Sequence, residues 1–285
     1  MDVTHNIQDT RRILKNLSPE TQIGLVPTMG ALHEGHAALI RQSVADNDYT
    51  AISIFVNPLQ FGEHEDLDQY PKTLNADVKM ADDLSVDLVF NPNAREILGE
   101  RMLAFVDIDE LQDNLCGASR PGHFRGVCTI VSKLFHIIQP HQAYFGEKDI
   151  QQLIIIQRMV QDLNFPVRIV PCPLVREPDG LAKSSRNRYL SPDERKQALV
   201  LSRAIGKVVQ LYRSGERSAA VLVQEAENRI KTAPDAVIDY VQFVNGSMQD
   251  VEYVRDDTIL ALAVFVGETR LIDNHIMHRK FSCDT

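Results

Sequence analysis

His33 and His36 stand three residues apart in Pro27-Thr28-Met29-Gly30-Ala31-Leu32-His33-Glu34-Gly35-His36, a segment that also holds turn glycines and a helix start. This combination suits an anion. Gly30 permits a backbone that a Cβ would penalise, and Gly35 lets a ligand or another backbone come close. A helix beginning near His33 turns its unpaired N–H groups and the positive end of its dipole toward whatever lies above it. At this spacing both imidazoles share one helix face and can address one phosphoryl group. The same spacing would also serve a cap bonded to a neighbouring loop. A metal is disfavoured, because helical metal-binding histidines of the metalloprotease pattern stand at i and i+4.

Three further clusters carry polar groups suited to small ligands. Asn57-Pro58-Leu59-Gln60-Phe61 is an amide-bearing loop, and Gly146-Glu147-Lys148-Asp149-Ile150-Gln151-Gln152 is another. Either alone would be an ordinary turn, with Asp149 as a helix cap. Leu181-Ala182-Lys183-Ser184-Ser185-Arg186-Asn187-Arg188 follows the turn signal Asp179-Gly180 and mixes hydroxyls with cations. It reads as an anion clamp in which Arg186 forks onto two phosphate oxygens and Lys183 adds a point charge. The alternative is a solvated basic loop.

These clusters need a frame that gathers them. Strand-like runs at Gln22–Pro27, Thr50–Val56 and Val86–Phe90 alternate with helical periods from about His33 and around Asn75–Leu84. Further on, Gly126–Ile138 and Asp149–Leu163 are helical in period, and Ala143–Phe145 and Pro166–Cys172 are strand-like. That alternation predicts an α/β fold with a parallel sheet and crossover helices. Ligands of such sheets bind beyond the carboxyl ends of the strands, where the first three polar segments fall. The second half changes character. Ser191-Pro192-Asp193-Glu194 opens a helix to about Arg213, a second helix spans roughly Ser218–Thr232, and two strand candidates follow at Ile238–Val244 and Ile259–Val266, then Arg270–Asp273 and a short polar tail. We therefore expect two domains, 1–174 and 175–285, the second a smaller α+β unit carrying the Lys183–Arg188 loop, joined by a hinge between Pro173 and Lys183.

At 285 residues, 44% hydrophobic and 24% charged, the chain has an ordinary globular composition. Its net charge of −9 argues against broad nucleic-acid binding, so any anionic substrate must be drawn by a local cationic cluster. No apolar run is long enough to span a bilayer, and the N-terminus lacks the pattern of a signal peptide, so the expected location is cytoplasmic. Cys116, Cys128, Cys172 and Cys283 form no C-x-x-C pair and read as reduced thiols.

The motifs P-T-M-G-A-L-H-E-G-H, F-V-N-P-x-Q-F, Y-P-[KR]-T, H-F-R-G-V, F-G-E-K-D-x-Q-Q and S-S-R-N-x-Y-L, in this order, resemble those of the pantothenate synthetase family. The resemblance is strong from about Ile23 to Leu190 and weak beyond, apart from a closing R-L-I-D-N. It implies a Rossmann-like nucleotide-binding domain of the H-x-G-H adenylyl-transferring superfamily, with Lys183-Ser184-Ser185-Arg186 in the place of that superfamily's K-M-S-K-S-like loop. Lys183 departs from the family, which usually carries an apolar residue there.

The implied activity is ATP-dependent joining of (R)-pantoate and β-alanine to pantothenate through a pantoyl adenylate, releasing AMP and pyrophosphate. By the same resemblance His36, His33, Lys148 and Arg186 are catalytic, with the proton-donor role on His36. Met29 to His36, Gly146 to Asp149, Val175 and Lys183 to Arg186 bind ATP, while Gln60, Gln152 and Asn57 read the acid and amine substrates. Mg2+ is expected on the phosphates, with either Asp77 or Asp149 holding it through water, and the resemblance implies a homodimer. A nucleotidylyltransferase would share the histidine turn but lack the Gln60 and Gln152 pair. A tRNA synthetase would add a basic anticodon-binding region, and a silent nucleotide-binding regulator would not require both histidines and Lys148.

Overall fold

Ile23–Thr28 is apolar without alternation because it lies inside a sheet covered on both faces. The computed structural model describes residues 1–62, 65, 67–279 and 281, and the chain divides into two units. One comprises Met1–Asp109, Arg120–Glu147 and Gln152–Pro173; the other comprises Glu110–Ser119, Lys148–Gln151 and the chain from Leu174 onward.

The first unit is built on six strands: β1 (Asp2–Thr4), β2 (Ile23–Thr28), β3 (Tyr49–Ile54), β4 (Leu88–Phe90), β5 (Gln142–Gly146) and β6 (Arg168–Cys172). They lie in the order β1-β4-β3-β2-β5-β6, and every neighbouring pair is parallel. Parallel neighbours require crossover segments. The helices between them include α1 (Ile7–Lys15), α2 (Glu34–Asp46), α3 (Leu74–Asp83), α4 (Ala94–Leu98), α6 (His123–Ile138) and α7 (Ile150–Asp162), with α5 (Leu115–Ser119) in the other unit. Val26, Ile40, Ile52, Val89 and Tyr144 belong to one buried cluster between sheet and helices. Each apolar side chain so buried contributes about 1.5–3 kcal/mol.

The fold is thus α/β with a Rossmann-like parallel sheet, as the alternation predicts, and the element edges shift for local reasons. The fourth strand starts at Leu88 because the Val86 N–H bonds back to the Ala81 carbonyl and ends α3. The sixth starts at Arg168 because Val167 closes a turn onto the Phe165 carbonyl. The N-terminus, read only for the absence of a signal peptide, forms β1 and α1, whose cap Asn6 accepts the Asp9 N–H.

The second unit carries β7 (Ala236–Val244), β8 (Ile259–Val266) and β9 (Thr269–Ile276), antiparallel in sequence order. Its helices are α8 (Pro192–Ala198), α9 (Val200–Arg213) and α10 (Ala219–Ile230). Leu201, Ile205, Val208, Leu222, Leu260 and Leu262 share its core. Ser191 and Glu194 form the expected capping box. The single helix expected to Arg213 is divided at Leu199, whose ψ of −14° and N–H bond to Gln197 interrupt the ladder.

Among the described residues no helix is long and apolar enough to cross a membrane. Cys116, Cys128 and Cys172 are free, and burial pushes the Cys128 and Cys172 thiols up to about 12 and about 11. Cys283 lies outside the described residues.

Candidate active site

The chain runs from β2 outward to β3 and β4, then returns to the other side of β2 to lay down β5 and β6. The order therefore reverses between β2 and β5, and a crevice opens at the carboxyl ends of strands at such a reversal. Thr28 ends β2 and Gly146 ends β5, so the histidine turn and the start of the Gly146–Gln152 segment issue from the two strands that flank it.

The turn after β2 is held by a distant carboxylate. Gly30 has φ +81°, and Ala31, which carries a Cβ, also lies at positive φ, +50°. Two consecutive left-handed residues aim neighbouring N–H groups at one point. Asp77 of α3 takes them: Oδ2 accepts from Ala31 N at 3.0 Å and from Thr73 Oγ1 at 3.0 Å, and Oδ1 accepts from Leu32 N at 2.8 Å. Asp77 is 3% exposed, so these contacts are made away from water. Its oxygens are already engaged by three donors, which argues against its orienting Mg2+. Glu34 pairs with Arg41 on the surface.

His33 is the N-cap of α2. Its Nδ1 accepts the Gly35 N–H at 3.1 Å, while Nδ1 of His36 accepts the His33 N–H at 3.3 Å, a reciprocal capping box built from imidazoles. The cap reading and the anion reading are therefore compatible. A ring nitrogen that accepts from a backbone N–H carries no proton, so both rings are neutral with the proton on Nε2. The centroids lie 4.1 Å apart with planes tilted by 33°, which makes the pair a block of two N–H donors without net charge.

The loop after β3 has an equally determined polarity. Leu59 N–H donates to Asn57 Oδ1 at 3.0 Å, which fixes Nδ2 of Asn57 as the donor to Gly126 O at 3.1 Å and to Gln60 Oε1 at 3.0 Å. Gln60 Oε1 is thus an acceptor already in use, and the group Gln60 offers a ligand is its NH2. Asn57 is buried and its amide is bonded to Gln60 and to the Gly126 carbonyl. Gly126 permits this packing, since a Cβ there would stand 2.3 Å from the Leu59 carbonyl oxygen and 2.7 Å from Gln60 N.

In the Gly146–Gln152 segment, Glu147 is buried and Glu147–Asp149 form one 3-10 turn before α7. The two glutamines divide. Gln151 is 4% exposed and staples the 111–116 segment, donating to the Leu111 and Asn114 carbonyls and accepting from Cys116 N. Gln152, the expected substrate residue, is half-buried on the first turn of α7. Asn274 of β9 donates to the Lys148 carbonyl at 2.9 Å, and its neighbour Asp273 forms a buried two-pronged ion pair with Arg176 at 2.7 and 2.8 Å. The closing R-L-I-D-N motif thus braces the segments that carry Lys148 and Val175.

Val175 and Lys183 face each other across a hairpin whose turn holds Gly180 at φ +94°: Lys183 N–H bonds to Val175 O at 2.9 Å, and Arg176 bridges to Ala182. The Lys183 ammonium lies 3.3 Å from Glu177 Oε2, which Arg195 also approaches at 3.6 Å. Its charge is engaged by that carboxylate here. Ser184 caps a 3-10 turn over Ser185–Tyr189 by accepting the Arg186 N–H, which leaves the Ser184 hydroxyl proton to donate. Among the described residues no group of three or more His, Cys, Asp or Glu is disposed to hold a metal ion.

Sequence reasoning missed Asp77 as the anchor of the turn, Arg120 and His123 behind Gln60, and Asn274 behind Lys148. His123 and Asn274 lie in motifs that stood out as letters, H-F-R-G-V and R-L-I-D-N, but nothing local indicates what they touch.

The family model described as pantoate-beta-alanine ligase matches residues 2–276. A pantothenate synthetase of Acetivibrio thermocellus is 50% identical over 281 residues, covering 97% of this chain and 99% of that protein. The crystal structure of pantothenate synthetase from Thermus thermophilus superposes with a TM-score of 0.93 at 40% identity, covering 97% of this chain and 99% of that one. The pantoate-beta-alanine ligase of Francisella tularensis, solved as a complex with beta-gamma ATP and beta-alanine, gives a TM-score of 0.82 at 34% identity, covering 99% and 100%.

Proposed function

The chain belongs to the pantoate–β-alanine ligase family, a family of ATP-using ligases that form pantothenate, and we propose that it does so through a pantoyl adenylate. The observation that carries the reading is the His33–His36 pair at the carboxyl end of β2. Two neutral Nε2–H donors beside a helix N-terminus suit a phosphoryl group on which negative charge grows.

In the first step a pantoate carboxylate oxygen attacks the α-phosphorus of ATP. A new O–P bond forms as the bond to the bridging oxygen breaks, and pyrophosphate leaves. No covalent enzyme group takes part, so rate depends on positioning and on donors aimed at the equatorial oxygens. We assign these to His36 and His33, to Lys148 and to Arg186. Met29 to Gly35 supply backbone to the nucleotide, as do Gly146, Glu147, Asp149 and Val175, while Lys183, Ser184 and Ser185 add phosphate donors. Lys183 would have to leave Glu177 to take that part.

In the second step the β-alanine amine attacks the acyl carbon. The C–N bond forms, the acyl bond to AMP breaks, and the amine gives up its proton. Gln60 donates its NH2 to an oxygen of pantoate, Gln152 supplies the second amide, and Asn57 sets the polarity of Gln60. The mixed anhydride must be kept from water until the amine arrives. We assign that task to the Lys183–Arg188 loop of the 175–285 domain, acting as a lid.

Mg2+, when bound, neutralises charge on the phosphates. With Asp77 engaged, Asp149, an exposed carboxylate, would be the residue to hold it and would thereby help neutralise the phosphates. By family resemblance the assembly is a cytoplasmic homodimer.

The test is positional labelling. Pantoate carrying oxygen-18 in its carboxylate is expected to pass one label to AMP during turnover, read by mass spectrometry. Unlabelled AMP would remove the acyl-adenylate step.

A further inference from the structure

Gln60 ends the 3-10 turn Pro58–Gln60, so its carbonyl finds no partner inside that turn. Two side chains, Arg120 just before α6 and His123 at its first position, supply one. His123 Nδ1 lies 2.9 Å from Gln60 O, and Arg120 Nη2 donates to the same oxygen at 3.3 Å. Arg120 Nη1 lies 3.3 Å from His123 Nε2. A guanidinium only donates, so Nε2 of His123 is the bare nitrogen, and Nδ1 carries the proton given to Gln60 O.

Arg120 is itself held. Glu65 accepts from its Nε at 2.6 Å and its Nη2 at 2.5 Å, with side chains 26% and 16% exposed. Burial alone would raise the Glu65 carboxyl, but the Arg120 hydrogen bonds and charge bring it below its ordinary value. Two charged groups and an imidazole, all mostly withdrawn from water, thus converge on one loop carbonyl. Asn57 fixes the side chain of that same residue, donating to its Oε1.

We propose that Arg120 and His123, backed by Glu65, are positioning residues for acid-substrate recognition. They hold the Gln60 backbone while Asn57 holds its amide, so that the NH2 group stands at one fixed point. This rests on Gln60 being a pantoate contact. The role concerns the acid, because the contacts of both residues converge on the Gln60 carbonyl.

The experiment is steady-state kinetics with pantoate and ATP varied separately. His123→Ala and Arg120→Gln are each expected to raise KM for pantoate about tenfold or more while KM for ATP stays within about twofold. His123→Asn, whose amide nitrogen reproduces the Nδ1–H position, should restore pantoate KM toward the parent value. Should His123→Ala fail to fold, judged by circular dichroism, Arg120→Gln decides alone, since its site is partly open to water. Equal rises in both KM values, or no rescue by His123→Asn, would reduce these residues to general scaffolding and overturn the proposal. Gln60→Ala separates two failures. Parent-like pantoate KM in Gln60→Ala overturns the premise and the proposal together, whereas a raised KM there beside parent-like values in the other variants overturns the proposal alone.

Discussion

Leu32 donates its backbone N–H to Asp77 Oδ1 at 2.8 Å, joining the turn after β2 to a helix that lies 45 residues further along the chain. The neighbouring Ala31 N–H takes the other oxygen, so one buried carboxylate fixes two consecutive positive-φ residues at the mouth of the site.

Asp77→Asn is therefore expected to cost about 2 kcal/mol of stability, because the incoming NH2 must face N–H or O–H donors that the carboxylate now accepts. Chemical denaturation measures that loss. The same variant should lose turnover, since the turn that carries His33 and His36 is no longer held. Parent-like stability and kcat together would show that the turn holds its shape unaided.

For the histidine pair, nitrogen-15 NMR of the imidazoles should find both rings as the neutral Nε2–H form near neutral pH. His36→Ala should lower kcat about a hundredfold or more, in the range of losing one donor to transition-state charge. An intact fold with near-normal kcat would confine His36 to capping α2.

His275, on β9, is held down at about 4, chiefly by burial and then by the Arg176 charge, against an ordinary value of 6.5. The unfolded chain takes up a proton there below about 6.5 while the folded chain does not until about 4. The stability this residue contributes is present above 6.5 and is lost as pH falls from 6.5 to 4. Melting temperatures followed across that window should fall more steeply for the parent chain than for His275→Gln. Parallel slopes would show that other groups set the acid limb.

The sequence announced whatever local chemistry determines. Ile259–Val266 reads as a strand because it is apolar throughout, and Ser191 to Glu194 reads as a capped helix start because the cap lies within four residues. The strand-end loops were legible because alternation implies a parallel sheet, and a parallel sheet gathers its loops. Partners chosen by tertiary packing were not legible. Asp77 looks like any acid on a helix, and His123 and Gln60 are separated by 63 positions, Asn274 and Lys148 by 126. Nor could Gln151 be told from Gln152 by type, since their difference lies in which side of α7 each faces. The break at Leu199 was hidden for a related reason: apolar positions continue across it.

Gly126 has a bearing on redesign. With no Cβ, it brings α6 against the Leu59 carbonyl at a separation no other residue allows, so helix and loop move as one piece. A search for variants that accept longer or bulkier acids gains little by remodelling the loop backbone. The adjustable elements are the side-chain tips that project from it, and libraries confined to positions 60 and 152 would leave the joint intact.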